Sequence, residues 1–219
     1  MPRIEAFIFD LDGVFTDTAE YHYRAWKQLA DEEGYPFTRE DNEQLRGVSR
    51  RESLNRLLKG APISEETAQA YMERKNTYYQ SYLQLITPAD VLPNVSEFLR
   101  AARLAGLKLG IGSASRNAVG VLERLGLIEM FDAIGDGYSV VNIKPAPDLF
   151  LWVAGRLNVN PSHTVVFEDA EAGIDAALKG GFWTVGVGAE HNVHRAHLKA
   201  PNGLADLDVI QVVQHFQAL

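Results

Sequence analysis

The sequence predicts a doubly wound parallel α/β sheet with an inserted all-helical cap domain, on three observations. A short apolar run, residues 6–9, ends in two carboxylates, Asp10 and Asp12, just ahead of a turn-compatible Gly13. From residue 107 onward, apolar runs of strand length alternate with segments of helical period, as βαβ units covered on both faces require. Residues 17–88 carry helix starts and helical spacings but no convincing strand.

The first run reads as a buried strand whose C-terminal edge delivers Asp10 and Asp12 into one space, where open α/β sheets place their ligands. Two carboxylates about 4 Å apart at an effective dielectric near 20 repel by roughly 4 kcal/mol, so both stay ionised only beside a cation or if one holds a proton. Hard oxygen ligands suit Mg²⁺. Tyr21, Trp26, Leu29 and Ala30 recur at helical spacing between Asp17 and Glu33, and Gly34 with Pro36 stops that helix. Thr38 with Asp41 caps a short helix, Ser49 with Glu52 starts another, and Ser64 with Thr67 opens a long one towards Leu85. Pro88 and Pro93 bracket the return to the core. The expected division is therefore 1–16 plus 89–219 as the α/β core, and 17–88 as the helical cap.

After a helix marked by Val95, Phe98, Leu99 and Ala102, strands are expected over 107–111, 131–134, 164–167 and 184–187. Helices are expected over 117–125, 148–157, 170–179 and 206–216.

The chain has 219 residues, 46% of them apolar, enough for a sizeable core. A net charge of -8 disfavours an electrostatic nucleic-acid binder. No run approaches a membrane span, and MPRIEAFIFDLDG is too short and acidic for a signal peptide. A cytoplasmic protein, acting as a monomer, is expected. The absence of Cys removes disulfide, thiolate and thiol chemistry.

The strand ends carry the remaining candidates. Ser113-Ala114-Ser115-Arg116-Asn117 offers a hydroxyl and helix-start N–H groups to an anion, although Ser and Asn there also serve as caps. Gly110 and Gly112 lie within a strand and lack the third Gly of a dinucleotide site. Lys144, held extended by Pro145, could neutralise a phosphate and orient a nucleophile. Glu168 and Asp169 form a second acidic pair at a strand end, and four carboxylates at one sheet edge call for a divalent cation. His191, His194 and His197 recur every three residues, but Arg195 among them and the lack of an acidic or Cys ligand argue for a polar loop.

The four segments around Asp10, Ser113, Lys144 and Glu168 resemble, in order, the four motifs of the haloacid dehalogenase superfamily. DLDGVFTDTAEYHYRAW, LRGVSR, ERKN, KPAPD and EDAEAGI extend the resemblance over cap and core to its β-phosphoglucomutase family. The resemblance implies Asp10 as nucleophile, Asp12 as general acid/base, and a metal site from Asp10, the Asp12 backbone carbonyl, Glu168 and Asp169. It implies phosphate binding by Ser113 and Lys144, and a hinge at Thr18. His22 is implied in proton handling and cap closure, and Arg50 in holding the non-transferring phosphate. Trp26, Arg46, Gly47, Val48, Ser49, Ser53 and Lys75 from the cap, and Ala114, Ser115 and Asn117 from the core, are implied in substrate contact.

The implied activity is the interconversion of β-D-glucose 1-phosphate and glucose 6-phosphate through an aspartyl phosphate and a glucose 1,6-bisphosphate. The rival is a Mg²⁺-dependent sugar-phosphate phosphatase on the same fold. Two departures stand out: Arg46 replaces an expected Lys, putting a planar fork where a point charge would be, and residues 135–142 lack the family's Ala-rich loop.

Overall fold

The computed structural model describes residues 3–219. The strands are β1 (Ala6–Phe9), β2 (Lys108–Gly112), β3 (Ala133–Gly135), β4 (Thr164–Glu168), β5 (Trp183–Val187) and β6 (Leu198–Ala200). They form one sheet in the order β3-β2-β1-β4-β5-β6, every pair parallel. The chain runs outward from β1 in both directions, so the crevice beyond the C-terminal ends of β1 and β4 is the switch point where such sheets bind ligands.

Between β1 and β2 lie α1 (Ala19–Glu33), α2 (Arg39–Glu43), α3 (Arg50–Leu58), α4 (Glu65–Leu83) and α5 (Val95–Leu104). The later helices are α6 (Ala118–Leu125), α7 (Asp148–Leu157), α8 (Glu171–Lys179), the short α9 (Glu190–Val193) and α10 (Val209–Gln217).

Because β1 is paired on both edges and covered on both faces, all four of its side chains are buried. Alternation divides them. Phe7 and Phe9 join Phe98, Phe167 and residues of α6 and α10 in one layer, whereas Ala6 and Ile8 join Phe150, Val153 and Ala177 from α7 and α8 in the other. Each fully buried Phe or Ile contributes about 1.5–3 kcal/mol, which holds the strand carrying Asp10 in a fixed register.

Helices α1 to α4 have a core of their own, built from Trp26, Leu29, Ala30, Phe37, Leu54, Leu57, Leu58 and Ala68. Their N-termini follow the sequence reading: Thr38 accepts from the Asp41 N–H, Ser49 from that of Glu52 and Ser64 from that of Thr67.

Three elements differ from the expectation. Strand β6 was not expected: it is three residues long, with exposed Lys199 at its centre, and pairs at the sheet edge with β5. The closing helix starts at Val209, capped by Asp208, because residues 203–206 form a separate 3₁₀ turn. Residues 190–193 form a helical turn where a loop was expected. Among the described residues no helix is long and apolar enough to cross a membrane.

Candidate active site

Register builds the core side of the site. Phe9 lies opposite Ile111 in β2 and Phe167 in β4, so Asp10, Ser113 and the Glu168-Asp169 pair leave the sheet at one edge. The Asp10 N–H donates to the Phe167 carbonyl at 2.9 Å, extending the ladder to the carboxylate itself. Side-chain oxygens of Asp10, Glu168 and Asp169 come within 4.8 Å of one another. Two glycines make this possible. A Cβ on Gly13, whose φ is +82°, would lie 2.1 Å from Asp169 Oδ2, and one on Gly173 would lie 2.0 Å from Glu168 Oε2.

Lys144 lies beneath this cluster, its side chain wholly inaccessible. It donates to Asp10 Oδ1 at 2.5 Å and to Glu168 Oε2 at 2.8 Å. The ammonium sits 4.7 Å over the Phe150 ring. Although burial opposes its charge, Asp10 and Glu168 push its pKa up. One ammonium does not balance three carboxylates. Burial raises Glu168 to about 8, chiefly against the pull of Lys144, and raises Asp169 to about 7 with help from the Asp10 charge. Glu168 and Asp169 are thus both biased towards holding a proton. A buried, oxygen-only donor set with surplus negative charge fits a hard divalent cation.

Asp12 is placed differently. Its side chain is outside the carboxylate cluster and accepts a hydrogen bond from Thr18 Oγ1, which leaves its backbone carbonyl as the group to be tested for metal binding. Burial, then the Asp10 charge, raises its pKa to about 6. Thr18 is fully buried at the N-terminus of α1, yet its hydroxyl does not cap the helix.

A cavity of about 600 Å³ separates this edge from the helices α1 to α4, within the range of small-ligand sites. On the core side it is lined by Asp10, Asp12, Thr18, Ser113, Ala114, Ser115, Asn117 and Asp169. Ser113 Oγ accepts from the Ser115 N–H at 3.2 Å, and Ser115 Oγ from the Asn117 N–H at 3.2 Å, so both hydroxyls order the turn into α6. The loop after β3 braces that turn, with the Gly137 N–H donating to the Ser115 carbonyl at 3.1 Å.

The opposite wall comprises His22, Trp26, Arg46, Gly47, Val48, Ser49, Arg50, Ser53 and Lys75. Lys75 Nζ lies 2.9 Å from His22 Nδ1 and 5.0 Å from the Trp26 ring centroid. Burial depresses both pKa values; Lys75 lowers His22 further, and Arg50 lowers Lys75. Ser49 and Ser53 hydroxyls have local partners, the Glu52 N–H and the Ser49 carbonyl. Arg46 reaches across the cavity to Asp169 Oδ2 at 2.9 Å while its Nε holds Glu43 at 2.8 Å. Arg46, expected in substrate contact, thus pairs in this structure with a carboxylate of the acidic cluster.

Arg50 has no carboxylate partner among the described residues; its Nη2 donates to Asn76 Oδ1 at 2.8 Å. Asn117 Nδ2 donates to the same oxygen at 3.0 Å, tying the two walls together. Burial and the neighbouring Arg116 charge lower the Arg50 pKa. Sequence reasoning assigned no role to Asn76, Arg116 or Tyr79, which complete the wall or its contacts. Asn76 and Arg116 sit inside the motif strings, where position marked them, but Tyr79 lies in none of them. The histidines lie apart: His191 and His194 are exposed, and His197 Nδ1 sits 2.8 Å from Thr184 Oγ1.

The sequence profile of the haloacid dehalogenase-like hydrolases matches residues 4–181. The chain belongs to the haloacid dehalogenase-like family. Within that family it is 46% identical over 189 residues to a β-phosphoglucomutase of Bacillus subtilis, covering 84% of each chain. It is 33% identical to a phosphorylated carbohydrates phosphatase of Thermotoga maritima, over 81% of this chain and 82% of that one. A crystal structure of a β-phosphoglucomutase from Clostridium difficile superposes with a TM-score of 0.93 at 42% identity, covering 98% of both chains.

Proposed function

We infer that the chain is a phosphomutase that interconverts β-D-glucose 1-phosphate and D-glucose 6-phosphate. The observation that carries the reading is the cavity's two anion-binding poles: Asp10 with Lys144 and Ser113 on the sheet edge, and the carboxylate-free guanidinium of Arg50 on the facing wall. A substrate that presents a phosphate at either end needs both. The likeness to β-phosphoglucomutases at 42% and 46% identity supports the same activity.

In this reading residues 17–88 act as a cap over a core of 1–16 and 89–219, with Thr18 at the hinge. Asp10 attacks as nucleophile and carries the phosphoryl group as an acyl phosphate. Lys144, already paired with Asp10, neutralises charge on the transferring group, and Ser113 offers its hydroxyl to the phosphate. Asp12 removes the proton of the C6 hydroxyl, and later returns one to the departing C1 oxygen. Such proton transfer contributes about 10² to 10⁴ in rate. His22, whose protonation is opposed by burial and by the Lys75 charge, serves proton handling and cap closure, and Lys75 belongs to the substrate-contacting wall. Arg50, Ser115 and Asn117 hold the distal phosphate, and Trp26, Arg46, Gly47, Val48, Ser49, Ser53 and Ala114 shape the sugar site. Asp10, the Asp12 carbonyl, Glu168 and Asp169 would hold Mg²⁺, which supplies charge neutralisation to the phosphoryl group when bound.

The deciding experiment gives purified enzyme β-glucose 1-phosphate, Mg²⁺ and a trace of the bisphosphate, and measures glucose 6-phosphate by a coupled dehydrogenase and inorganic phosphate by colour. Glucose 6-phosphate formed in large excess over phosphate is expected. Stoichiometric free phosphate would instead make the chain a phosphatase, the activity named for the Thermotoga relative.

A further inference from the structure

Arg116 lines the cavity between Ser115 and Asn117, which hold the distal phosphate in the proposed reaction. Arg50 and Asn117 meet on Asn76 Oδ1 at 2.8 Å and 3.0 Å, which brings Arg116, next to Asn117 in the chain, to the Arg50 end of the cavity. The Arg116 guanidinium is exposed, and among the described residues no carboxylate pairs with it. What it meets is the ring of Tyr138, with the guanidinium carbon 4.8 Å from the centroid, inside the range of cation–π attraction.

The ring is held there by the turn after β3, in the stretch where the chain lacks its family's Ala-rich loop. Asp136 Oδ1 accepts from the Tyr138 N–H at 2.9 Å and from the Ser139 hydroxyl at 3.1 Å, while the Gly137 N–H reaches across to the Ser115 carbonyl at 3.1 Å. Gly137 permits that approach: a Cβ there would lie 2.6 Å from the Ala114 carbonyl oxygen and 2.8 Å from Arg116 Cγ. The turns that follow the neighbouring strands β2 and β3 are thus bolted together. Tyr138 itself is 70% exposed, so apolar burial does not explain its place. The cavity wall includes Gly137 and Val140 but not Tyr138.

We propose that Tyr138 is a platform that holds the Arg116 guanidinium at the distal end of the cavity, so that Arg50 and Arg116 meet the non-transferring phosphate as a preset pair. An arginine on a long exposed stem loses rotamer freedom when an anion binds, and stacking on a fixed ring takes that loss before the ligand arrives. The π face also offsets the repulsion between the two cations without neutralising either, as a carboxylate in its place would. Tyr138 is a positioning residue, since it acts on the phosphate only through Arg116. The inference rests on the proposed reaction, in which a sugar bisphosphate reaches from Asp10 to Arg50.

Tyr138→Leu keeps an apolar side chain and removes the π face, whereas Tyr138→Phe keeps the face. Calorimetry with β-glucose 1,6-bisphosphate in EDTA, which withholds the divalent cation, reads the distal pole because this ligand carries a phosphate at each end. Tyr138→Leu should weaken binding about two- to fivefold, and Tyr138→Phe by less than about 1.5-fold. Phosphorylation of Asp10 by acetyl phosphate, which has no distal phosphate, should be unchanged in both variants. Their melting temperatures should also match wild type, since the ring is exposed. In an Arg116→Ala background, adding Tyr138→Leu should weaken binding no further, because there is no guanidinium left to place. Wild-type affinity in Tyr138→Leu, an equal loss in Tyr138→Phe, a matching loss with acetyl phosphate, or additive losses in the double variant would each overturn the proposal. Wild-type enzyme that forms only free phosphate would overturn the mutase reading instead, and the bisphosphate affinities still decide the role of Tyr138.

Discussion

Replacing Arg50 by Ala probes the feature that distinguishes a mutase from a phosphatase, because the core motifs serve both chemistries. The guanidinium has five N–H donors, and Asn76 Oδ1 takes one at 2.8 Å, leaving enough to grip a phosphate bidentately. A charge-assisted hydrogen bond contributes about 1.5–3 kcal/mol, or roughly 10- to 150-fold in rate or affinity. We take one such bond rather than two, since Arg116 stands close enough to depress the Arg50 pKa and would take over part of the anion's charge. Isomerisation by Arg50→Ala should therefore fall at least tenfold. Phosphorylation of Asp10 by acetyl phosphate, which carries no distal phosphate, should change by less than about threefold. Burial and like charge already oppose the Arg50 cation, so the variant should melt no lower than wild type without ligand, yet lose most of the stabilisation that glucose 6-phosphate confers. Equal losses in both kinetic assays, or a lowered melting temperature without ligand, would refute the assignment of Arg50 to the distal phosphate.

Asp10→Asn should abolish turnover, because an amide cannot form the acyl phosphate, and should weaken Mg²⁺ binding measured by calorimetry; near-wild-type turnover would remove Asp10 as nucleophile. The raised pKa values of Glu168 and Asp169 mean that these two groups bind more protons in the folded, metal-free protein than in the unfolded chain between about pH 4 and about pH 8. Their contribution to stability in EDTA should thus be greatest at the acid end of that window and fall as pH rises through it, opposed by His22 and Lys75, whose lowered pKa values act with the other sign; saturating Mg²⁺, which displaces the two carboxyl protons, should therefore stabilise more as pH rises. Melting curves with EDTA and with Mg²⁺ at about pH 5, 6.5 and 8 check this, and a Mg²⁺-induced stabilisation that does not grow with pH would contradict it. Gly173→Ala should displace the Glu168 carboxylate, since the added Cβ would fall 2.0 Å from Glu168 Oε2; lower Mg²⁺ affinity by calorimetry is expected, and unchanged affinity would show that Glu168 does not serve the metal.

The sequence carried the sheet well where burial imposes a pattern. Strand β1, covered on both faces, has to be wholly apolar, and its abrupt end in Asp10 is visible without any structure. Strand β6 escaped because an edge strand of three residues with Lys199 exposed at its centre has no apolar run to detect. The Ser49 and Ser64 caps were legible because a cap is a local bond over three residues. Contacts between distant residues were not: Lys144 meets Asp10 across 134 positions and Arg46 meets Asp169 across 123. The residues themselves could be named from strand ends and family resemblance, but their pairing depends on register and on how the cap seats. Tyr79 shows the limit most clearly: it lies on the long helix expected after Ser64, and only the fold reveals that its buried ring stacks on His22 at 4.1 Å.

The central claim is that a phosphoryl group passes from Asp10 to a sugar hydroxyl rather than to water. Phosphorus NMR of purified enzyme with β-glucose 1-phosphate, Mg²⁺ and catalytic glucose 1,6-bisphosphate follows every phosphate in one sample. The prediction is that the glucose 1-phosphate signal is replaced by glucose 6-phosphate while total sugar phosphate stays constant and the bisphosphate persists. Loss of both sugar phosphates to a growing inorganic phosphate signal, with no glucose 6-phosphate accumulating, would contradict it.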